Sequence, residues 1–145
     1  PEEFYELYRH TYRVVKSFGK GFRFGSTSLC VVFNVPKDFI RNYLSFAMEN
    51  DCPPDFLNLH FYDNDFTFYA SDFPRPDSLT YSQLNMDENS LSKTIDQIEL
   101  LKKEFGLSIP VYLTEWNLTV SHRNLLNDTC FKSCYLVKNL LENYD

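Results

Sequence analysis

The chain has 145 residues, which suits one domain rather than two. Its 23% charged and 43% hydrophobic residues exclude a disordered tail, and its net charge of −6 argues against nucleic-acid binding by this segment, since phosphate contacts need a basic surface. There is no signal-peptide pattern and no apolar run long enough to cross a membrane, so no membrane partner is expected.

The first segment carries Phe4, Leu7, Tyr8, Thr11, Val14, Val15 and Phe18 at helical spacing, opposite Glu2, Glu3, Glu6, Arg9, Arg13 and Lys16. Gly19 and Gly21 stop this helix. It opens directly in the amphipathic pattern with no initiator Met, as expected of a piece of a longer protein. Phe22 to Phe24 predict a short strand that ends at Gly25-Ser26-Thr27-Ser28. That loop lacks the glycine patterns of phosphate sites.

Pro36 and Asp38 open a second helix, with Phe39, Ile40, Tyr43, Leu44 and Ala47 on one face and a break at Asn50 to Pro54. Phe56 to Tyr62 reads as a strand whose alternation sets Leu57, Leu59 and Phe61 against Asn58, His60 and Tyr62. A long loop follows from Asp63 to Tyr81. Asn85 to Glu88 resembles a capping box before a third helix marked by Leu91, Ile95, Ile98, Leu101 and Phe105, which Gly106 closes.

Pro110 starts the run Val111-Tyr112-Leu113, which ends in Thr114-Glu115-Trp116-Asn117. A carboxylate at the C-terminal end of a buried strand, with helices before and after, stands where α/β folds keep their chemistry. A loop from Leu118 to Leu126 leads to an N-cap at Asn127 or Asp128. The last helix is expected to turn Phe131, Cys134, Tyr135, Val137, Leu140 and Leu141 inward.

A helix followed by three strand–helix units predicts an α/β fold with a parallel sheet. Three strands do not close a barrel, and their open edges could pair with a second copy, so a homo-oligomer is one expectation. His60, Tyr62 and Glu115 fall at the same ends of their strands. There a Glu suits attack on, or stabilisation of, an oxocarbenium centre, a His and a Tyr suit hydroxyl binding, and Trp116 suits stacking on a sugar face. The 17% aromatic content fits either a large core or such a cleft. A structural histidine and a solvated strand-end Glu are the plain alternatives. No metal-ligand spacing, cofactor motif or serine-hydrolase motif is present, so no metal and no cofactor is expected. Cys30, Cys52, Cys130 and Cys134 lack a CxxC spacing. Cys130 and Cys134 read as packed small hydrophobes, which points to a reducing, cytoplasmic setting.

Pro110 to Asn117, followed by Asn127-Asp128-Thr129 and the helix through Leu140, resembles glycoside hydrolase family 39, the β-xylosidase and α-L-iduronidase family. Pro54 to Tyr62 is similar to that family's sixth strand, and Tyr8 to Ser26 to the helix and strand before it. The resemblance covers nearly all of residues 1–145, as a single segment. It implies a partial (β/α)8 barrel, roughly units five to seven with the preceding helix. It also implies a retaining glycosidase acting on a xyloside or related oligosaccharide, with Glu115 as nucleophile and His60, Tyr62, Trp116 and Asn117 lining the sugar site. The family's acid/base lies in an Asn-Glu-Pro motif after the fourth strand. This sequence has none, so the chain alone is expected to be inactive and its parent to be the hydrolase. The family's Gly-Gly-Pro is Phe24-Gly25-Ser26 here, and its His-Thr-Tyr is His60-Phe61-Tyr62. A similar domain stands in some AraC-type transcription regulators, so a sugar-sensing role is the alternative.

Overall fold

The computed structural model describes residues 2–30, 37–64, 88–119 and 127–144. The expected loop from Asp63 to Tyr81 lies outside them beyond Asn64, as do Pro36, Asn85 to Asp87 and residues 120–126. The order is α1 (Glu2–Ser17), β1 (Leu29–Cys30), α2 (Lys37–Glu49), β2 (Leu57–Asn64), α3 (Ser90–Glu104), β3 (Val111–Thr119) and α4 (Cys130–Glu142). The strands form a parallel sheet in the order β1-β2-β3. This is the α/β arrangement that alternating strand and helix patterns demand.

The helices cover one face of the sheet. Leu57 and Leu59 of β2 are buried among Tyr8 of α1, Ile40, Tyr43, Leu44 and Ala47 of α2, and Ile98 of α3. Fully burying an aliphatic side chain of this size stabilises the fold by about 1.5–3 kcal/mol. Aromatic rings are prominent in this layer. Tyr5 stacks on Phe46 at 4.9 Å between ring centroids, and Tyr8 meets Tyr43 edge-on at the same distance. The Tyr8 hydroxyl donates to the Cys52 carbonyl at 3.1 Å.

The predicted core face of α1 divides in two. Phe4 and Tyr8 pack inward, whereas Leu7, Val14 and Phe18 are exposed, because Tyr5 and Tyr12 rotate the buried face toward α2. Just past the end of α2, Asp51 has a φ of 53° that lets the Cys52 amide donate back to the Ala47 carbonyl at 2.9 Å. Gly106, at φ 64°, closes α3 in the same manner, with Leu107 N–H on the Lys102 carbonyl.

Four local expectations are corrected. The first strand is not Phe22 to Phe24 but Leu29–Cys30. The earlier segment runs beside the start of β2 with two backbone bonds, Asp55 N–H to the Phe24 carbonyl at 2.8 Å and Ser26 N–H to the Phe56 carbonyl at 3.1 Å, and side chains supply the others. Asp55 Oδ2 accepts from Phe24 N–H at 2.5 Å, and Ser26 Oγ accepts from Asn58 N–H at 2.8 Å. α3 begins at Ser90 with Asn89 as its N-cap residue, and the box expected from Asn85 lies outside the described residues up to Asp87. α4 is capped by Thr129, whose hydroxyl accepts from Lys132 N–H, rather than by Asn127 or Asp128. Asn127 instead accepts from Lys132 Nζ. The inward face of α4 is Tyr135 and Asn139, with Leu136 partly buried. Phe131, Val137, Leu140 and Leu141 are exposed, as are Cys130 and Cys134, which therefore do not pack as small hydrophobes. α4 packs mainly on α3 and β3, and its other side is exposed among the described residues.

Candidate functional site

The sheet face opposite the helices is polar. Alternation along β2 brings Asn58, His60 and Tyr62 to it, since Leu57, Leu59 and Phe61 are buried on the other side. On β3 strict alternation would do the reverse for the residue of interest. Val111 and Leu113 pack toward the helices, so Glu115 would follow them.

A β-bulge changes this. Leu59 pairs with Leu113, but His60 pairs with Glu115, leaving Thr114 as an extra residue on β3. From that point the parity of β3 is reversed. Glu115 and Asn117 join His60 and Tyr62, their partners being His60↔Glu115 and Tyr62↔Asn117. Trp116, paired with Phe61, turns to the helix side and packs with Leu118 against Tyr135 and Leu136 of α4. Bulges are rare in parallel pairs and re-aim side chains where they occur.

Glu115 therefore faces His60, with Nδ1 2.7 Å from Oε2. A carboxylate only accepts, so Nδ1 carries a proton in this contact. The His60 side chain is 26% exposed and that of Glu115 is 54% exposed, so the pair is open to a ligand from the polar side. Contrary to the expectation from the sequence, neither residue ends its strand. β2 runs on to Asn64 and β3 to Thr119. Extension past Glu115 follows from the bulge, because only after the slip do Trp116 and Leu118 present apolar surface to α4.

One layer below this pair lies a row of polar side chains. Thr114 Oγ1 donates to Asn58 Oδ1, and Asn58 Nδ2 donates to Ser28 Oγ at 2.7 Å. Sequence reasoning misses Thr114 and Asn58. The signal was nonetheless present, since the apolar residues of β3 stand at 111 and 113 and then at 116 and 118.

Four of the five sequence-derived site residues thus share one face: Glu115, His60, Tyr62 and Asn117. Tyr62 is buried there, and the Asn117 side-chain oxygen accepts from Leu118 N–H at 2.9 Å. Trp116 is not brought to this face. Among the described residues no three His, Cys, Asp or Glu side chains are grouped as metal ligands, and no helix is long and apolar enough to cross a membrane.

The family model described as glycosyl hydrolases family 39 matches residues 1–145. A β-xylosidase of Caldicellulosiruptor saccharolyticus is 26% identical over 147 residues, covering 99% of this chain and 27% of that protein. A β-xylosidase of Geobacillus stearothermophilus is 24% identical over 148 residues, with the same two shares. The crystal structure of a monomeric β-xylosidase from Caulobacter crescentus CB15 superposes with a TM-score of 0.73 at 19% identity, over 94% of this chain and 26% of that one, a likeness of fold. The chain spans 27% of the length of the curated relatives it matches.

Proposed function

The chain belongs to glycosyl hydrolase family 39, and on that premise we propose that it is part of a retaining β-xylosidase-like hydrolase in which Glu115 is the nucleophile. The observation that carries the reading is the contact of His60 Nδ1 with Glu115 Oε2 on the open polar face of a parallel sheet. The hydrogen bond orients the carboxylate toward an anomeric carbon approaching from that face. Its oxygen forms the bond to that carbon as the bond to the leaving group breaks, giving a glycosyl ester that water then hydrolyses.

The fold supports a partial (β/α)8 barrel, roughly units five to seven with the preceding helix. Its strands run parallel in sequence order with all packed helices on one side, as a barrel wall requires and a doubly wound sheet does not. Exposed apolar residues on the outer helices, Leu7, Val14 and Phe18 on α1 and Val137 and Leu141 on α4, suit burial beneath further units of that wall. Retention needs a second carboxyl group about 5–5.5 Å from the first. No Asn-Glu-Pro lies in this sequence to supply it, so the chain alone is inactive and catalysis belongs to the parent protein. His60, Tyr62 and Asn117 are assigned to the hydroxyls of a xyloside or related sugar. Trp116, packed against α4, is left out of that site.

The test is covalent trapping. The parent protein treated with an activated 2-deoxy-2-fluoro-xyloside is expected to gain the sugar mass on the peptide holding Glu115, and Glu115→Gln is expected to abolish turnover. A label on another carboxylate, full activity in Glu115→Gln, or a parent with no action on aryl glycosides overturns the reading.

A further inference from the structure

We propose that Thr114 and Asn58 are positioning residues for Glu115. Their side-chain hydrogen bond holds the bulge that turns the carboxylate from the helix layer to His60. As a statement about catalysis this rests on Glu115 being the nucleophile, while as a statement about geometry it stands by itself.

A residue inserted in one of two paired strands leaves its neighbours two ways to relax, back to strict alternation or onward into the reversed phase. The apolar residues Trp116 and Leu118 favour the reversed phase from the helix side. On the polar side the Thr114 hydroxyl bonds to Asn58, which is two residues before His60 on the neighbouring strand. Asn58 is itself fixed from a third segment, by its Nδ2 on Ser28 Oγ at 2.7 Å and its N–H on Ser26 Oγ at 2.8 Å. In this arrangement Nδ2 donates to the Ser28 hydroxyl and Oδ1 accepts the hydroxyl proton of Thr114. A tie across three neighbouring segments lies directly beneath the His60–Glu115 pair.

Thr114 is exposed and Asn58 partly so. A neutral hydrogen bond in such a place contributes little to global stability, because water offers both groups equivalent partners. Its effect is on aim. Loss of the tie lets the extra residue of the bulge rotate, and Glu115 is the next residue along.

The experiment uses this chain with 15N-labelled histidine and reads the imidazole nitrogens of His60 by NMR. The wild type is expected to show an Nδ1-protonated ring with a protected proton bonded to Glu115. Thr114→Ser, which keeps the hydroxyl, is expected to retain that signature. Thr114→Val, equal in shape but without the hydroxyl, is expected to lose it while the rest of the amide spectrum is unchanged. Asn58→Leu removes the acceptor and decides the matter if Thr114→Val fails to fold. An unchanged His60 signature in the folded Thr114→Val or Asn58→Leu chain overturns the proposal. In the parent protein Thr114→Val is expected to lower kcat by about ten- to a hundredfold with KM nearly constant. Unchanged kcat also overturns it. If the parent hydrolyses nothing, the glycosidase reading falls while the NMR result still decides this one.

Discussion

The ring of Phe56 stands where a side chain on Gly25 would have to go. A Cβ on Gly25 would lie 2.2 Å from Phe56 Cε2. The ring cannot step aside cheaply, since Tyr112 meets it edge-on at 5.4 Å and the Arg23 guanidinium lies over it at 5.6 Å. Gly25→Ala is expected to destabilise the chain by about 1–3 kcal/mol through overpacking. Urea unfolding should show a lower midpoint. Adding Phe56→Leu should restore part of the loss, a non-additivity that a remote defect would not produce.

Acid should weaken the joint between α1 and the start of β2. Burial opposes ionisation of Asp55, but Lys16 Nζ at 2.6 Å from Oδ2 and the Phe24 amide at 2.5 Å outweigh it and hold the carboxyl below its usual range. A depressed folded pKa stabilises above the unfolded value of about 3.9 and is lost as pH falls through the folded value. At pH 7 Asp55→Asn is therefore expected to be less stable, by about 1 kcal/mol for so accessible a pair. The difference from wild type should shrink below roughly pH 4. Thermal melts of both proteins from pH 2 to 7 check the convergence.

At the other end of the scale, burial pushes the Tyr8 and Tyr43 phenols far above their ordinary range. Both stay protonated in the fold, whereas in the unfolded chain they ionise near pH 10, so stability falls as pH rises above that value. Absorbance of tyrosinate should show Tyr8 and Tyr43 ionising only as the chain unfolds. Tyr8→Phe removes one of them and leaves the Cys52 carbonyl without its 3.1 Å donor, a loss of about 1 kcal/mol at neutral pH.

Legibility in the sequence follows what each element touches. α2 and α3 pack one face on the sheet, and their apolar periods name that face correctly from Ile40 to Ala47 and from Leu91 to Phe105. α1 and α4 carry apolar residues around more than half of their girth, so period alone cannot say which arc meets the sheet. Leu7 and Leu141 look like core and are 66% and 78% exposed. The parallel sheet and its polar face can be read from Asn58, His60 and Tyr62. The route by which Glu115 reaches that face cannot be read from alternation alone, because it depends on a break in alternation. Trp116 illustrates the cost of overlooking that break. Adjacent to Glu115 in sequence, it ends on the opposite side of the sheet.

The extra residue at Thr114 makes β3 behave like a message with a reading frame. Substitutions along it change single letters. Removal of Thr114 would leave that frame intact, since Glu115 would then follow Leu113 in ordinary alternation and still meet His60. Closing the slip at unchanged length, so that Thr114 and not Glu115 pairs with His60, would invert every word that follows, sending the carboxylate toward α4 and Trp116 and Leu118 into the open.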